Sequence, residues 1–362
     1  HGGDAQLDPA APFLTESFLA SGYTTCAMDN LAQDRPWFLR GYEFYVNPGV
    51  RHPLMLGVTC EELNGRILPW LKNYSHEPFF MMLHYWDPHW PLEPPAKYQG
   101  LFYSGGNPTD PDNHSLDPFW EHPLGSIARD TWLRRPEGPI TDARYVEAMY
   151  DQEVRHLDDG IGELLDTVDE LGLRENTLVV LLADHGESLT EHGIFFDHHG
   201  LYDVTIHTPL IMRLPGVLPA GVRLPQIMQH QDVAPTILEA TGHEVPEEMD
   251  GQSWWGLFTG ETRSGGRDFA VSVENTWQSK WSLRTATHKF ILARRPDAYG
   301  SPMRELYDLE ADPDEEDNLV DEEPELADEL EAKLEDWIAE QLRAQGKSED
   351  PVVEQDVSLS AT

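Results

Sequence analysis

The side chains best suited to chemistry fall in one short run. Asp184 and His185 stand side by side, and His192, His198, His199 and His207 follow closely. A carboxylate oxygen binds a hard divalent cation directly, and a neutral imidazole offers one ring nitrogen. That pair, with more imidazoles close by, suits a metal that meets an anionic substrate. The plainer alternative is a turn-capping Asp beside a surface His. Glu187, Glu191 and His192 lie close enough in sequence to support the ligands from outside. His192 and His207 fit structural roles better, and the role of His230, flanked by Gln229 and Gln231, stays undecided.

An element must carry Asp184 to its place. Thr177–Ala183, TLVVLLA, is an unbroken apolar and β-branched run. That pattern predicts a strand buried on both faces, as in a parallel sheet. In open α/β sheets, ligands gather beyond the carboxyl ends of the strands. A second apolar run, Phe79–His84, leads into Asp87-Pro88-His89, so His89 is expected at the same sheet edge.

The remaining chain supplies the frame. A short helix within Leu7–Ser21 closes at Gly22, and Tyr23–Met28 reads as a strand. Glu61–Tyr74 is an amphipathic helix with Leu63, Ile67, Leu68 and Leu71 on one face, and Pro69 marks a kink or an earlier end. Pro91–Ile140 lacks periodicity and reads as long loops, either specificity loops or a solvated insertion. Thr141–Gly172 is a long helix with Thr141 as cap, placing Asp158 and Asp159 on its solvated face. Pro209–Leu214 is a strand, and Asp232–Thr241 a helix with an Asp cap. Beyond the Gly-rich stretch 260–266, Phe269–Val273, Ser279–Thr285 and Lys289–Ala293 read as antiparallel strands, and Pro324–Leu342 as an amphipathic helix. The domains expected are 1–260, 261–342 and a polar, disordered tail at 343–362.

Four motifs occur in an order that resembles the sulfatases of the alkaline phosphatase superfamily. They are His84-Tyr-Trp-Asp87-Pro88-His89-Trp-Pro91, the helix at Asp158-Asp159-Gly-Ile-Gly, the Asp184-His185-Gly segment, and Glu305-Leu-Tyr-Asp-Leu with Asp312-Pro313 and Asn318-Leu319. The resemblance covers roughly residues 13–338. It implies an α/β fold, a mostly parallel sheet sandwiched by helices, with a small C-terminal antiparallel subdomain. It implies sulfate-ester hydrolysis of a small-molecule or carbohydrate substrate, with Asp184 and His185 as ligands of one divalent metal. Calcium is the metal implied, while an imidazole ligand keeps manganese or zinc open. Glu187 would stand behind the ligands. His89 would contact the transferred group. A family cation near Asp203 would fall on His198 by one count and on His199 by another.

One departure matters. The family's N-terminal aspartate pair and its Cys-x-Pro-x-Arg or Ser-x-Pro-x-Arg loop, source of the formylglycine nucleophile, are not in this sequence. Cys26 precedes Ala-Met-Asp-Asn, Cys60 precedes Glu-Glu-Leu-Asn, and Ser301-Pro302-Met303-Arg304 has the wrong spacing. The chain is therefore expected to be a fragment without its nucleophile and inactive alone. The competing readings are a phosphodiesterase or phosphonate monoester hydrolase of the same superfamily, and a non-catalytic relative that binds anionic sugars.

Composition bounds the rest. The chain has 362 residues, with 65 acidic side chains against 25 basic, for a net charge of −40. Only six of the basic residues are Lys. Such self-repulsion is a lever halophiles use, so the expectation is an extreme halophile's protein, leaning to the cytoplasm. Nothing basic is clustered to neutralise phosphates, which argues against nucleic acid. Two cysteines make no disulfide framework, and no apolar run reaches spanning length.

Overall fold

The structure, a computed structural model, describes residues 7–33, 35–49, 58–297 and 299–354. The fold is α/β. The chain forms two compact units, one of residues 7–177 and one built on residues 178–362. This division differs from the one expected after residue 260. The Gly-rich stretch at 260–266 is a loop inside the second unit, because partners on either side of it are bonded to each other. Arg267 pairs with Asp232, and Gln229 Nε2 donates to the Val271 carbonyl.

In the first unit, α1 (Leu14–Ala20) leads into β1 (Thr24–Met28), followed by β2 (Phe44–Val46). Then come α2 (Cys60–Tyr74) and β3 (Phe79–Leu83). The strands form a parallel sheet in the order β2-β1-β3. The central strand is the buried one: Cys26, Ala27 and Met28 have no exposure, while β3 is half-buried at the edge. The apolar face of α2, with Leu63, Ile67, Leu68 and Leu71, packs on Cys26 and Met28. The helix runs through Pro69 without ending. Pro69 and Gly65, whose carbonyl loses its partner, both lie on the exposed face, where water can solvate it.

The expected loops at 91–140 contain α3 (Asp117–Glu121), α4 (Pro123–Asp130) and a two-stranded hairpin, β4 (Arg134–Arg135) with β5 (Gly138–Pro139). The long helix is α5 (Ala143–Glu170). Its cap is Asp142, which accepts from the Arg144 N–H, rather than Thr141. The Thr141 hydroxyl instead donates to the Asp110 carbonyl. Helices α2 and α5 approach closely at Gly160, where a Cβ would lie 2.7 Å from Cys60 Sγ.

In the second unit, β6 (Val179–Leu182) pairs antiparallel with β7 (Leu210–Arg213), with α6 (Asp203–Ile206) between them in sequence. The expected strand at 177–183 is therefore present but shorter, antiparallel and half-buried. Among the described residues it has one strand neighbour. Helices α7 (Val233–Ala240) and α8 (Trp255–Thr259) follow. Asp232 does not cap α7; it is fully buried and binds the Arg267 guanidinium and the Gln229 and Gln252 N–H groups.

Strands β8 (Ala270–Glu274), β9 (Lys280–Arg284), β10 (His288–Ala293) and β11 (Arg304–Asp308) form an antiparallel meander. Helix α9 (Pro324–Ala344) lays Ala327, Leu330, Leu334 and Ile338 on Leu283, Phe290 and Leu306. The expected tail differs over its described part. Helix α10 (Pro351–Glu354) follows Asp350, whose carboxylate accepts from Trp281 Nε1 and Arg294, and Val352 is buried. Residues 355–362 of that tail lie outside the described residues.

Two lysines are buried in this sheet. Lys280 Nζ lies 3.0 Å from Asp297 and 3.3 Å from Glu305. Lys289 Nζ lies 2.5 Å from Asp203 and 2.7 Å from Glu315. Burial opposes the charge on Asp203, but Arg284 and Lys289 outweigh it and hold its carboxyl down at about 2. Burial pushes Glu315 upward instead, against the pull of Lys289. Asp203→Asn is expected to cost about 3–5 kcal/mol, since it strands buried cations. A lowered urea midpoint reads the loss. The stability Asp203 adds is complete above its ordinary value of 3.8 and fades as pH falls toward about 2.

Candidate functional site

The site grows from the end of β6. The Ala183 carbonyl accepts from His230 Nε2 at 2.8 Å, which fixes the strand terminus. Asp184 follows with its side chain 79 % exposed, and its Oδ1 accepts the His185 N–H. His185 Nδ1 lies 2.8 Å from the Gly186 carbonyl. A carbonyl accepts, so that nitrogen carries the proton and Nε2 carries the lone pair. Nε2 lies 3.6 Å from Asp184 Oδ2. Two donors at that separation can share one cation, since ligands held at about 2.0–2.4 Å sit ~3 Å apart. The donor set thus fits a divalent metal.

Gly186 makes the turn possible. Its N–H donates to the Thr205 carbonyl at 2.7 Å, and a Cβ there would lie 2.1 Å from the Val204 carbonyl oxygen. No side chain fits that approach, which brings α6 against the strand end.

The ring of His198 stacks on that of His185, with centroids 4.0 Å apart. His198 Nδ1 lies 3.5 Å from Glu187 Oε2. Ligand atoms of His185, Glu187 and His198 fall within 4.8 Å of one another, a second candidate grouping for the same cation. Burial lowers the basicity of His198, but Glu187, Asp197 and Asp184 outweigh it and hold it above the ordinary histidine range. His199 turns elsewhere. Its Nε2 lies 3.4 Å from Asp197 Oδ1 and its Nδ1 3.3 Å from Glu274 Oε1. His192 stacks flat on Tyr202 with centroids 3.5 Å apart, and His207 is mostly exposed near Asp203.

His89 belongs to the other unit and lies in the loop that leaves β3. The Asp87–Pro88 and Trp90–Pro91 peptides that frame it are cis. Its Nδ1 lies 2.6 Å from the Trp90 carbonyl, and its ring stands edge-on to Trp86. At the ends of β1 and β3, His84 Nδ1 lies 2.9 Å from the Asp29 carboxylate, which also accepts from Tyr45.

Of the site residues expected from the sequence, Asp184, His185, Glu187 and His198 lie close together, His199 faces Asp197 and Glu274, and His89 lies in the other unit. Sequence reasoning missed Asp197, Glu274 and the grip of His230 on Ala183. Asp197 directly precedes the histidine pair, a signal at hand. Glu274 is remote in sequence and gave none.

Comparison with known proteins bears on these groups. The Sulfatase family model matches residues 11–243, and that of the N-sulphoglucosamine sulphohydrolase C-terminal region matches 190–344. Arylsulfatase K of Mus musculus is 29 % identical over 230 residues, covering 59 % of this chain and 39 % of that protein. N-acetylglucosamine-6-O-sulfatase of Bacteroides thetaiotaomicron is 25 % identical over 334 residues, covering 74 % of this chain and 59 % of that one. The chain thus spans 39 % and 59 % of these two relatives. Among solved structures, one in complex with its substrate D-glucosamine-2-N,6-O-disulfate matches with a TM-score of 0.70 at 21 % identity, covering 98 % of this chain and 86 % of that one. The phosphonate monoester hydrolase of Agrobacterium radiobacter matches with a TM-score of 0.67 at 19 % identity, covering 95 % and 82 %. These two structural likenesses speak to the fold alone.

Proposed function

This chain belongs to the sulfatase family, and from that premise we propose that the whole protein hydrolyses a sulfate ester of a carbohydrate. The observation that carries the reading is the matched family region with Asp184 and His185 aimed at one point beyond β6. The amino-sugar sulfate relatives support the substrate class.

Each residue then has a task. Asp184 Oδ2 and His185 Nε2 hold the cation, and Glu187 supports them. A divalent ion there would supply Lewis-acid stabilisation of charge on the sulfate oxygens. Calcium is the family's implied ion; two imidazoles nearby keep manganese and zinc in play. His198 takes the cationic role, supported by its stacking on His185, while His199 serves the Asp197–Glu274 pair. His89 contacts the transferred group. None of the 362 residues lies in a Cys-x-Pro-x-Arg or Ser-x-Pro-x-Arg loop. A formylglycine nucleophile would therefore come from a part of the protein outside this chain, and these residues alone would be inactive. The charge of −40 supports a salt-adapted protein of a halophile's cytoplasm.

The test is a rate comparison on the full-length protein in strong salt. Sulfate release from glucosamine sulfates is expected to exceed hydrolysis of a phosphonate monoester. The reverse order would move the protein to the phosphonate hydrolases, and no turnover of either would favour the anionic-sugar-binding relative.

A further inference from the structure

A second group of metal-ligand side chains lies within the unit of residues 7–177, on α2, α5 and the loop after β3. At its centre is His156 of α5, which is 1 % exposed. Its Nε2 is hydrogen-bonded to the Glu61 carboxylate. A carboxylate only accepts, so Nε2 carries a proton and neutral imidazole keeps its lone pair on Nδ1. That lone pair faces Glu153 Oε2 at 3.4 Å and Asp87 Oδ1 at 3.6 Å.

A lone pair facing two carboxylates is repulsive unless something positive lies among them. The 3.4 Å contact between Nδ1 and Glu153 is within hydrogen-bond reach, but a charge-assisted bond from a proton on Nδ1 would be about 2.7–2.9 Å, and neither separation is that short. Both are near the ~3.3 Å edge of a tetrahedron whose donors sit about 2.0–2.1 Å from a central zinc. A further observation points the same way. Asp87 Oδ2 is buried without a hydrogen-bond partner, in a side chain only 9 % exposed. The surroundings look like the outer support of a ligand set. Glu153 Oε1 is held by the Glu93 N–H at 2.9 Å, and the carboxylate behind His156 is the usual orienting partner of a metal-bound imidazole.

We propose that Asp87, Glu153 and His156 hold a zinc-class divalent cation, with Glu61 orienting His156 from outside. Asp87 Oδ2 can complete the shell. Cys60 is engaged elsewhere, with its Sγ 3.6 Å from the His156 carbonyl. Asp87 opens the loop that carries His89, so the cation ties that loop to α5. The site is distinct from Asp184 and His185 and does not depend on their role.

The test uses the chain carrying Asp184→Ala and His185→Ala, stripped with a chelator and titrated with Zn²⁺ alone. One Zn²⁺ per chain is expected by calorimetry, with a rise in thermal midpoint on addition. His156→Gln or Glu153→Gln, added to that background, should abolish both. Glu61→Gln, at a half-exposed position that tolerates substitution, should weaken binding about 10–100-fold. No stoichiometric zinc would overturn the proposal. So would zinc binding indifferent to Glu61→Gln and to whichever cluster variants fold.

Discussion

Asp184→Ala in the full-length protein is expected to lower kcat/KM for a sulfate ester by at least ~10³-fold, the equivalent of about 4 kcal/mol of lost transition-state stabilisation. The expectation follows from geometry. Asp184 Oδ2 and His185 Nε2 lie 3.6 Å apart, and the Nδ1 proton is already committed to the Gly186 carbonyl. Removing the carboxylate takes away the exposed oxygen that His185 Nε2 shares the cation with and weakens the hold on a hard divalent ion. Metal content should therefore fall together with the rate. A variant that keeps both would take Asp184 out of the reaction. The readout is clean because the Asp184 side chain is 79 % exposed and its loss leaves no cavity.

The second large effect concerns salt. The folded chain is expected to keep its near-UV circular dichroism in roughly 2–3 M salt and to lose it below about 1 M, as screening weakens. Carboxylates outnumber basic side chains by 65 to 25. In dilute buffer their mutual repulsion opposes the compact state. The buried pairs of Lys280 and Lys289 feel salt little, so the unfolding should follow the surface charge. A cooperative fold unchanged in dilute buffer would sink the halophile reading.

Much of the site was legible because it is local in sequence. An apolar run that stops at Asp184-His185-Gly186 reads as a strand end, and the glycine's close approach to Val204 explains why that residue type stands there. The parts that were not legible depend on distant partners. Glu274 reaches His199, and His230 reaches Ala183, across stretches no local pattern spans. The strand itself was misjudged in burial and direction, because an apolar run signals burial but not the identity of its neighbour. Strand β2, only three residues long, carries too little periodicity to be seen. The helices in 117–130 hide behind Pro118 and Pro123, residues that punctuate loops yet also open first helical turns. Asp142 was passed over as cap for its neighbour Thr141, although both side chains are able to serve.

The scarcity of lysine has a practical corollary. Of the six ε-amines, those of Lys280 and Lys289 sit inside one antiparallel sheet at 1 % and 0 % exposure. Lys72, Lys97 and Lys347 face solvent, and Lys333 is half covered. Acylating reagents therefore divide the amines into an open set and a hidden pair. The hidden pair becomes a chemical register of whether the C-terminal sheet has opened, and it can be read by mass in brine too concentrated for many optical probes.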